Sequence, residues 1–299
     1  MKNLSIKNFT IQSLLEIKTW LNQELIKSDS VSFNIPNPDL DKGYKQWVNL
    51  AELHHCRMLT PLKIENNKVE LTFKKLDIKD SFHINNNKIN REEKYGTSSK
   101  FFDINKNEEP TFLYAYYQAL MAVKIEDKKH ILNLGINKGD EFELIEQVVS
   151  PSIFEKMKFT GIDHSASALT YAKERFKKDN MNFYKHDINK ISELNLKKSD
   201  LIISIGTLQS PSINYKPFLM SLVQEHLTYD GAFILGFPNS RWIDGELIYG
   251  AKAPNYPYSE MSLLFNDVIF AKKYLQQKKF RVTITGREYI FLTATRIGL

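Results

Sequence analysis

Residues 131–140, ILNLGINKGD, combine a short apolar run with glycines at positions 135 and 139. The run has the length and composition of a buried strand, and the following DEFELIEQVV has the spacing of a helix. A strand, a glycine turn and a helix form the first unit of doubly wound folds that bind nucleotides beside the turn. This stretch therefore indicates a nucleotide-type ligand.

The residues of the turn argue against a ligand held through phosphate. A dinucleotide fingerprint requires glycine at 135, 137 and 140, but Asn137 and Asp140 occupy two of these positions. Asp140, Glu141 and Glu143 also bring negative charge to the helix start, where a pyrophosphate would otherwise dock. No G-K-[ST] of a phosphate-binding loop follows. We therefore expect a ligand without phosphate, and not NAD.

Two aspartates follow later predicted strands and are candidates for binding the same ligand. Asp163 ends the strand FTGID, and Asp187 follows the strand NFYKH. A carboxylate has two oxygens and suits a pair of neighbouring hydroxyl groups. The alternative for Asp163 is that it, or Ser165, only caps the next helix. The alternative for Asp187 is a surface acid at a strand end.

Composition excludes several classes of protein. The 299 residues are 42% hydrophobic and 25% charged, as in ordinary soluble proteins with a large core. The net charge of +6 is spread along the chain without a basic block, so a nucleic-acid-binding surface is not evident. Cys56 is the single cysteine, which excludes a disulfide framework, and HHC at 54–56 lacks the spacing of a metal site. No apolar run reaches 18 residues and no signal peptide is recognisable, so we expect a cytoplasmic protein without a membrane partner.

The pattern of elements divides the chain near residue 110. Residues 1–110 predict a module of two helices and a hairpin around Asn66-Asn67, with a loop at 33–39, and we expect this module to be a cover or a substrate module. Its polar stretch 84–109 predicts a connector or a mobile cover. From 111 to 299, helices alternate with seven apolar strands. This alternation predicts an α/β fold with a doubly wound, mainly parallel, seven-stranded Rossmann-like sheet.

Residues 111–299 resemble the class I S-adenosylmethionine-dependent methyltransferases. The first motif of that family is [D/E]-x-G-x-G-x-G, and its positions correspond to Asn133, Gly135, Asn137 and Gly139. Asparagine tolerates the left-handed backbone that glycine adopts, so Asn137 is a plausible substitute. Asn133 replaces the acid of the motif and retains hydrogen-bonding capacity without its charge.

The resemblance implies S-adenosyl-L-methionine as cofactor and a role for each matching residue. Asp163 would accept the ribose hydroxyls, and His164 would lie against adenine. Asp187 and the backbone of Ile188 would bind the adenine edge. In SIGTLQS, Gly206 would approach the sulfonium and Gln209 would face the acceptor.

The acceptor itself is indicated less directly. The motif for amino methylation of bases or glutamine is missing, because GTLQS occupies its place. Cysteine-dependent C5 methylation of cytosine also lacks its nucleophile, because the single cysteine, Cys56, lies outside the region of resemblance. Residues 238–260 follow the fifth strand, flank the acceptor pocket in this fold and contain the nearest polar and aromatic groups. Trp242 or Tyr249 would stack on a planar acceptor, Arg241 would pair with a carboxylate, and Asp244 or Glu246 would take a proton or hold an amine. The alternative is a solvated loop.

These observations favour a methyltransferase for a small-molecule acceptor. Two alternatives remain at this point: an RNA or protein methyltransferase that docks its substrate on residues 1–110, and a protein that binds S-adenosylmethionine without turnover. An NAD-dependent oxidoreductase is less compatible with the failed dinucleotide fingerprint.

Overall fold

The computed structural model describes residues 6–80, 93–252 and 258–298, and it divides the chain into two compact units. The first unit is Met1–Asp80 and the second is Ser81–Leu299. The division lies 30 residues before the boundary expected at 110. The difference arises because residues 93–109 are bonded to the second unit, as the contacts of Lys106 and Asn107 below show.

The first unit is a small sheet with two helices. Its elements in chain order are β1 (Lys7–Asn8), α1 (Leu14–Lys27), β2 (Ser30–Pro36), α2 (Lys45–Leu53), β3 (Cys56–Met58), β4 (Leu62–Ile64) and β5 (Lys68–Lys75). The sheet has the order β1-β2-β5-β3, and β4 also pairs with β5. A core formed by both helices and the sheet holds it together, with Phe33 and Phe73 fully buried at a centroid distance of 5.2 Å.

The predicted hairpin is confirmed, whereas the predicted loop at 33–39 is wrong. Asn66 and Asn67 both have positive φ, as a two-residue turn between β4 and β5 requires. Residues 30–36 instead form strand β2, which pairs with β5 along its whole length. Pro36 is tolerated because β1 pairs with β2 only at Phe33 and Asn34, so the proline lies beyond that ladder.

The second unit alternates helices and strands as predicted. Its elements are α3 (Lys100–Asp103), α4 (Pro110–Ala122), β6 (His130–Leu134), α5 (Asp140–Val148), α6 (Pro151–Phe154), β7 (Lys158–Asp163), α7 (Ala166–Arg175), β8 (Met181–Lys185), β9 (Ser199–Ile205), α8 (Tyr215–Ser221), β10 (Leu227–Pro238), β11 (Ser240–Ile243), β12 (Glu246–Tyr249), α9 (Ser262–Gln277), β13 (Phe280–Gly286) and β14 (Tyr289–Arg296). None of the helices in the described ranges is long and apolar enough to cross a lipid bilayer.

Seven strands form one sheet in the order β13-β14-β10-β9-β6-β7-β8. Strands β6 to β10 run parallel, and β14 is antiparallel to both β10 and β13. The expected doubly wound, mainly parallel sheet of seven strands is confirmed. Parallel strands place their carboxyl ends on one edge, where ligands bind in such sheets. Because Pro238 pairs with Tyr289, the start of β14 lies on that same edge.

Each face of this sheet carries its own core. Alternate side chains of β6 point to opposite faces, so Ile131 belongs to one core and Leu132 to the other. The first core includes side chains of α4, α5 and α7, and the second includes those of α8 and α9. Continuous apolar strands such as LIISI are the expected sequence of a sheet that is covered on both sides.

Phe291 anchors α4 to the sheet and gives a test of this packing. It is fully buried, with ring centroids 5.5 Å from Phe112 and 5.9 Å from Tyr116. We expect Phe291→Ala to lower the free energy of unfolding in urea by about 3–5 kcal/mol, because it leaves a cavity between helix and sheet. Phe265→Ala is the control, since Phe265 is 50% exposed on α9. Equal losses for the two variants would contradict this packing.

Candidate active site

The turn after β6 is fixed by backbone hydrogen bonds and left-handed residues. The amides of Gly135 and Ile136 both donate to the carbonyl of Ile162, at 2.8 and 3.1 Å. Gly135, Asn137 and Gly139 have φ values of 78°, 48° and 92°. Asn137 therefore adopts the backbone region that the family motif assigns to glycine, at modest cost for asparagine.

The turn is also packed tightly against its neighbours. A Cβ atom on Gly135 would lie 2.0 Å from the Thr207 hydroxyl, and one on Gly139 would lie 2.4 Å from the Phe176 ring. Both glycines are therefore required by space as well as by φ. Thr207 belongs to the loop after β9, so this contact brings the loops after β6 and β9 together.

Asp163 joins the turn to the next helix. Its Oδ2 accepts the amide of Asn137 and its Oδ1 accepts the amide of Ser165, both at 2.9 Å. The cap of α7 is the Ser165 hydroxyl, which accepts the amide of Ala168. The Asp163 carboxylate is 5% exposed, and each oxygen retains a further lone pair that can accept a hydrogen bond. The neighbouring His164 is half-exposed, with Nδ1 3.6 Å from Oδ1 of Asp163.

Asn133 is the most unusual polar residue of the sheet. It is 1% exposed, and its Nδ2 and Oδ1 have no hydrogen-bond partner in the part of the chain that the structure describes. Buried polar groups nearly always have partners, since leaving one without costs about 1–3 kcal/mol. A donor and an acceptor therefore stand next to the turn, beside Gly161 of β7.

The other residues expected in the cofactor site lie along the same edge. Asp187 is exposed after β8 and accepts the amide of Asn189 at 3.0 Å, and Ile188 is buried. Gly206 has a φ of 75°, and its amide donates to the carbonyl of Gly236 at 2.8 Å. Gln209 follows in the same loop, with Oε1 buried and without a described partner. The edge thus brings together all four strand ends that the sequence indicated.

A segment that we call the strap, residues 93–109, is bonded to this turn. The side-chain amide of Asn137 donates to the carbonyl of Tyr95 at 2.7 Å. The ammonium of Lys138 donates to the carbonyls of Phe102 and Ile104, at 2.7 and 2.6 Å. The sequence predicted a cover over 84–109; residues 84–92 lie outside the described residues, and the strap contacts the predicted cofactor turn.

Glu93 attaches the strap to α7. Its carboxylate accepts the amide of Ala166 at 2.9 Å and the hydroxyls of Ser165 and Ser167. Burial opposes ionisation, but the hydrogen bonds from Ser167 and Ser165 outweigh it and lower the pKa of Glu93. A carboxylate at a helix start is also favoured by the helix dipole. The strap is thereby bonded at both the turn and the helix that follow β6 and β7.

The acids that begin α5 are paired rather than directed at a ligand. Asp140 lies 3.0 Å from the Arg175 guanidinium, and Arg175 also pairs with Glu143. Glu141 is 2% exposed and lies 3.2 Å from the ammonium of Lys106, which is also buried. The argument that these acids repel a phosphate is therefore weaker than the sequence suggested, because each carboxylate has a cationic partner.

The Lys106–Glu141 pair is the most buried ion pair of the strap. Burial raises the pKa of Glu141, which Lys106 only partly offsets. Burial by itself would lower the pKa of Lys106, but the charge of Glu141 raises it overall. Sequence analysis missed this pair, because nothing in the polar segment around Lys106 indicates that a lysine is buried there.

Within residues 238–260, residues 240–249 form a hairpin, and residues 253–257 lie outside the described residues. β11 and β12 pair across a turn at Asp244 and Gly245, both with positive φ. Trp242 is 5% exposed and lies close enough to Tyr289 to influence the pKa of its hydroxyl. Tyr249 is 37% exposed, with the guanidinium of Arg287 5.0 Å from its ring centroid. The remaining acceptor candidates, Arg241 and Glu246, are half-buried.

The residues of the HHC sequence at 54–56 take part in local packing and hydrogen bonding in the first unit. His54 ends α2 with Nδ1 2.8 Å from the carbonyl of Leu50, and burial raises the pKa of the Cys56 thiol to about 11. No group of three histidine, cysteine or acidic side chains that could hold a metal ion occurs within 6–80, 93–252 and 258–298.

Removal of one partner from the buried pair tests how firmly the strap is held. We expect Lys106→Met to cost about 3–5 kcal/mol of unfolding free energy at pH 7, because it leaves Glu141 charged and buried. The additional Glu141→Gln substitution should recover at least half of this loss. Since the folded-state pKa of Glu141 is raised, stability is lost as pH rises through it, so the deficit of Lys106→Met should be smaller at pH 5.

Urea unfolding of Lys178→Met provides the control. Lys178 pairs with Glu146, but both side chains are more than a third exposed, so the loss should stay below about 1 kcal/mol. If Lys106→Met costs no more than this control, the pair does not hold the strap.

Comparison with known proteins agrees with this geometry. A family model described as a methyltransferase domain matches residues 125–280, which is just over half of the chain. The match begins before β6 and extends to the start of β13, so it includes the turn, Asp163 and the loop after β9. No curated protein matches the sequence.

Solved structures show only a distant likeness. The N-methyltransferase NodS from Bradyrhizobium japonicum WM9, in complex with S-adenosyl-l-homocysteine, is 16% identical with a TM-score of 0.44, over 64% of this chain and 90% of that one. A SAM dependent methyltransferase from Aquifex aeolicus is 18% identical with a TM-score of 0.43, over 66% and 98%. TehB from Haemophilus influenzae is 14% identical with a TM-score of 0.43, over 79% and 73%. The assignment rests on the family model: the chain belongs to the methyltransferase domain family, with S-adenosyl-L-methionine as its cofactor.

Proposed function

We propose that this methyltransferase acts on a small-molecule acceptor that lies against the carboxyl ends of β9 and β10. The observation that carries the proposal is the shared edge of the sheet. The turn after β6 and Asp163 lie at one end of this edge, and the hairpin β11–β12 follows β10 at the other. A donor at the first position and an acceptor at the second would meet above β9.

The residues at the first position fit S-adenosylmethionine. Asp163 would accept the ribose hydroxyls with the lone pairs that its two backbone bonds leave over. Asn133 has a donor and an acceptor without described partners, and these would bind the amino acid part of the cofactor. His164 would lie against the adenine ring, and Asp187 with the backbone of Ile188 would bind its edge.

At the second position the chain's task is alignment and exclusion of water. The bound cofactor supplies a methyl group on a sulfonium, which transfers by in-line displacement when the acceptor is held at the correct distance. Gly206 and Gln209 in the loop after β9 would border the reacting atoms. Arg241, Trp242 and Tyr249 would border the acceptor, and the strap would keep water from the cofactor side.

Asp244 and Glu246 are the proposed sites for the proton that an acceptor must lose. Asp244 stands in the left-handed turn of the hairpin, and Glu246 begins β12. A carboxylate serves as a base when it lies within hydrogen-bond reach of the acceptor proton. An acceptor that carries no such proton, such as a thioether or tertiary amine, would need neither group.

The proposed role of Asp163 in cofactor binding can be tested with Asp200 as the control, because both carboxylates accept hydrogen bonds from two backbone amides. Asp200 accepts the amides of Lys129 and His130 at 2.8 and 2.9 Å, at the opposite edge of the same sheet. Asp163→Asn should weaken binding of S-adenosylhomocysteine in calorimetry by at least tenfold, about 1.4 kcal/mol, because the amide cannot accept both ribose hydroxyls. Asp200→Asn should stay within about threefold of wild type. Equal affinities of the two folded variants would show that Asp163 is structural only.

The class of acceptor can be tested with tritiated methyl groups. Purified protein and [methyl-³H]S-adenosylmethionine are added to a cell extract, which is then separated into small molecules, RNA and protein. We expect at least tenfold more label in the small-molecule fraction than in a parallel reaction with Asp163→Asn. Label that enters RNA or protein instead would overturn the small-molecule proposal, and the absence of label from all three would favour binding without turnover.

A further inference from the structure

Three carboxylates stand at the carboxyl end of β10, apart from the cofactor end of the sheet. Glu109 immediately precedes α4, Glu246 begins β12, and Glu288 immediately precedes β14. The packing of Phe112 on Tyr289, with centroids 5.1 Å apart, brings the start of α4 to the start of β14. Burial raises the pKa of Glu109, and the charges of Glu246 and Glu288 raise it further.

Two buried oxygen atoms beside this cluster have no donor. Glu288 is 8% exposed; its Oε1 lies 3.2 Å from Nε of Arg287, whereas its Oε2 has no hydrogen-bond partner among the described residues. Asn239 is 1% exposed, and its Oδ1 likewise has no partner in that set. Both atoms can only accept a hydrogen bond, so the group that would satisfy them is a donor.

The remaining bonds of Asn239 fix its side chain at this place. Its backbone amide donates to the carbonyl of Glu288 at 2.7 Å, and its Nδ2 donates to the carbonyl of Arg287 at 3.1 Å. The amide of Gly250, at the end of the hairpin, donates to its carbonyl at 2.7 Å. Asn239 is therefore held between the backbone at the start of β14 and the end of the hairpin.

The elements that carry these carboxylates also contain two arginines, Arg241 on β11 and Arg287 before β14. Arg287 pairs with one oxygen of Glu288, and its side chain is 49% exposed over the ring of Tyr249. Lys106 has its ion pair with Glu141. Glu109 forms no ion pair within the described ranges. A bound cation would offset the cost of holding these carboxylates close together.

A metal ion is not the cation that this arrangement indicates. The described residues contain no group of three acidic, histidine or cysteine side chains that converges closely enough to bind one. An ammonium group has three N–H donors and forms hydrogen bonds of 2.7–2.9 Å with carboxylates, so it tolerates a more open set of oxygens.

We propose that the methyl acceptor is a molecule with a protonated amine, which Glu109, Glu288 and the side-chain oxygen of Asn239 hold at the end of β10. This inference rests on the proposed methyltransferase function and specifies its substrate class. The amine donates to both carboxylates and to the amide oxygen, and it places the rest of the molecule along the carboxyl edge towards β9. Molecules that have a neutral or anionic group at this position bind less tightly, because such a group does not balance the charge of the carboxylates.

The test compares ligands that differ only in this group. Wild-type protein is saturated with S-adenosylhomocysteine and titrated in a calorimeter with tyramine, with 4-ethylphenol and with 3-(4-hydroxyphenyl)propionate. A second pair, putrescine and 1,4-butanediol, tests an aliphatic amine. We expect at least one amine to bind at least tenfold more tightly than its neutral analogue. The propionate should bind more weakly than tyramine and more weakly than 4-ethylphenol.

Three variants assign the effect to the cluster. Glu109→Gln and Glu288→Gln should each reduce the preference for the amine by at least tenfold, whereas Glu174→Gln, an exposed acid on α7, should leave it unchanged. Glu109 is only half-buried, so its variant carries the test if Glu288→Gln does not fold. Amines that bind no more tightly than their analogues, or a preference that survives in Glu109→Gln, would overturn the proposal.

Titration with S-adenosylhomocysteine alone, before the amines are added, separates the methyltransferase function from the amine class of the substrate. Binding of S-adenosylhomocysteine together with absent amine preference would leave the methyltransferase function standing and remove only the amine class. A folded wild-type protein that fails to bind S-adenosylhomocysteine would instead contradict the function on which the inference depends.

Discussion

The carboxylate of Asp163 is the interaction on which the rest of the site depends. It accepts one amide from the turn after β6 and one from the start of α7, so it fixes two loops that no helix or strand connects directly. The turn that is fixed in this way presents the Asn137 side chain to the strap and brings Gly135 against Thr207. Together with the hydrogen bonds from Gly135 and Ile136 to the Ile162 carbonyl, this carboxylate holds the ends of β6 and β7 in place, and it has lone pairs left to accept further hydrogen bonds.

Much of the fold could be predicted because it is encoded in short segments. An apolar run followed by a turn with glycine or asparagine at left-handed positions specifies a strand end, and the structure confirms it at Gly135, Asn137 and Gly139. The same reasoning succeeds at Asn66-Asn67, where two positive φ angles define a hairpin. The loop prediction at 33–39 failed because a proline at the end of a strand looks the same in sequence as a proline in a loop.

The contacts around the site could not be predicted, because they depend on which distant segments meet. Lys106 belongs to a polar stretch that is typical of solvent, yet it is buried against Glu141 of α5. The acids of α5 suggested a negative surface, whereas Arg175 from α7 and Lys106 from the strap pair with them. Glu109 and Glu288 are 179 positions apart in the sequence, and only the packing of α4 on β14 brings them together.

The two ends of the carboxyl edge therefore have different chemistry. At β6 and β7 the polar groups include amides and the hydrogen-bonded carboxylates of Asp163 and Glu93, which suits a nucleoside and an amino acid group without phosphate. At β10 and β14 carboxylates predominate, around buried oxygens that need donors. In the proposed reaction both ends are occupied together, and the loop after β9 with Gly206 lies between them.

The most direct test of this account is calorimetric titration of the wild-type protein with S-adenosylhomocysteine and, separately, with NAD. The account predicts binding of S-adenosylhomocysteine at one molecule per chain, with a dissociation constant in the micromolar range, about −8 kcal/mol, and no heat of binding with NAD. Binding of NAD without binding of S-adenosylhomocysteine would contradict the assignment of this edge to a methyl donor.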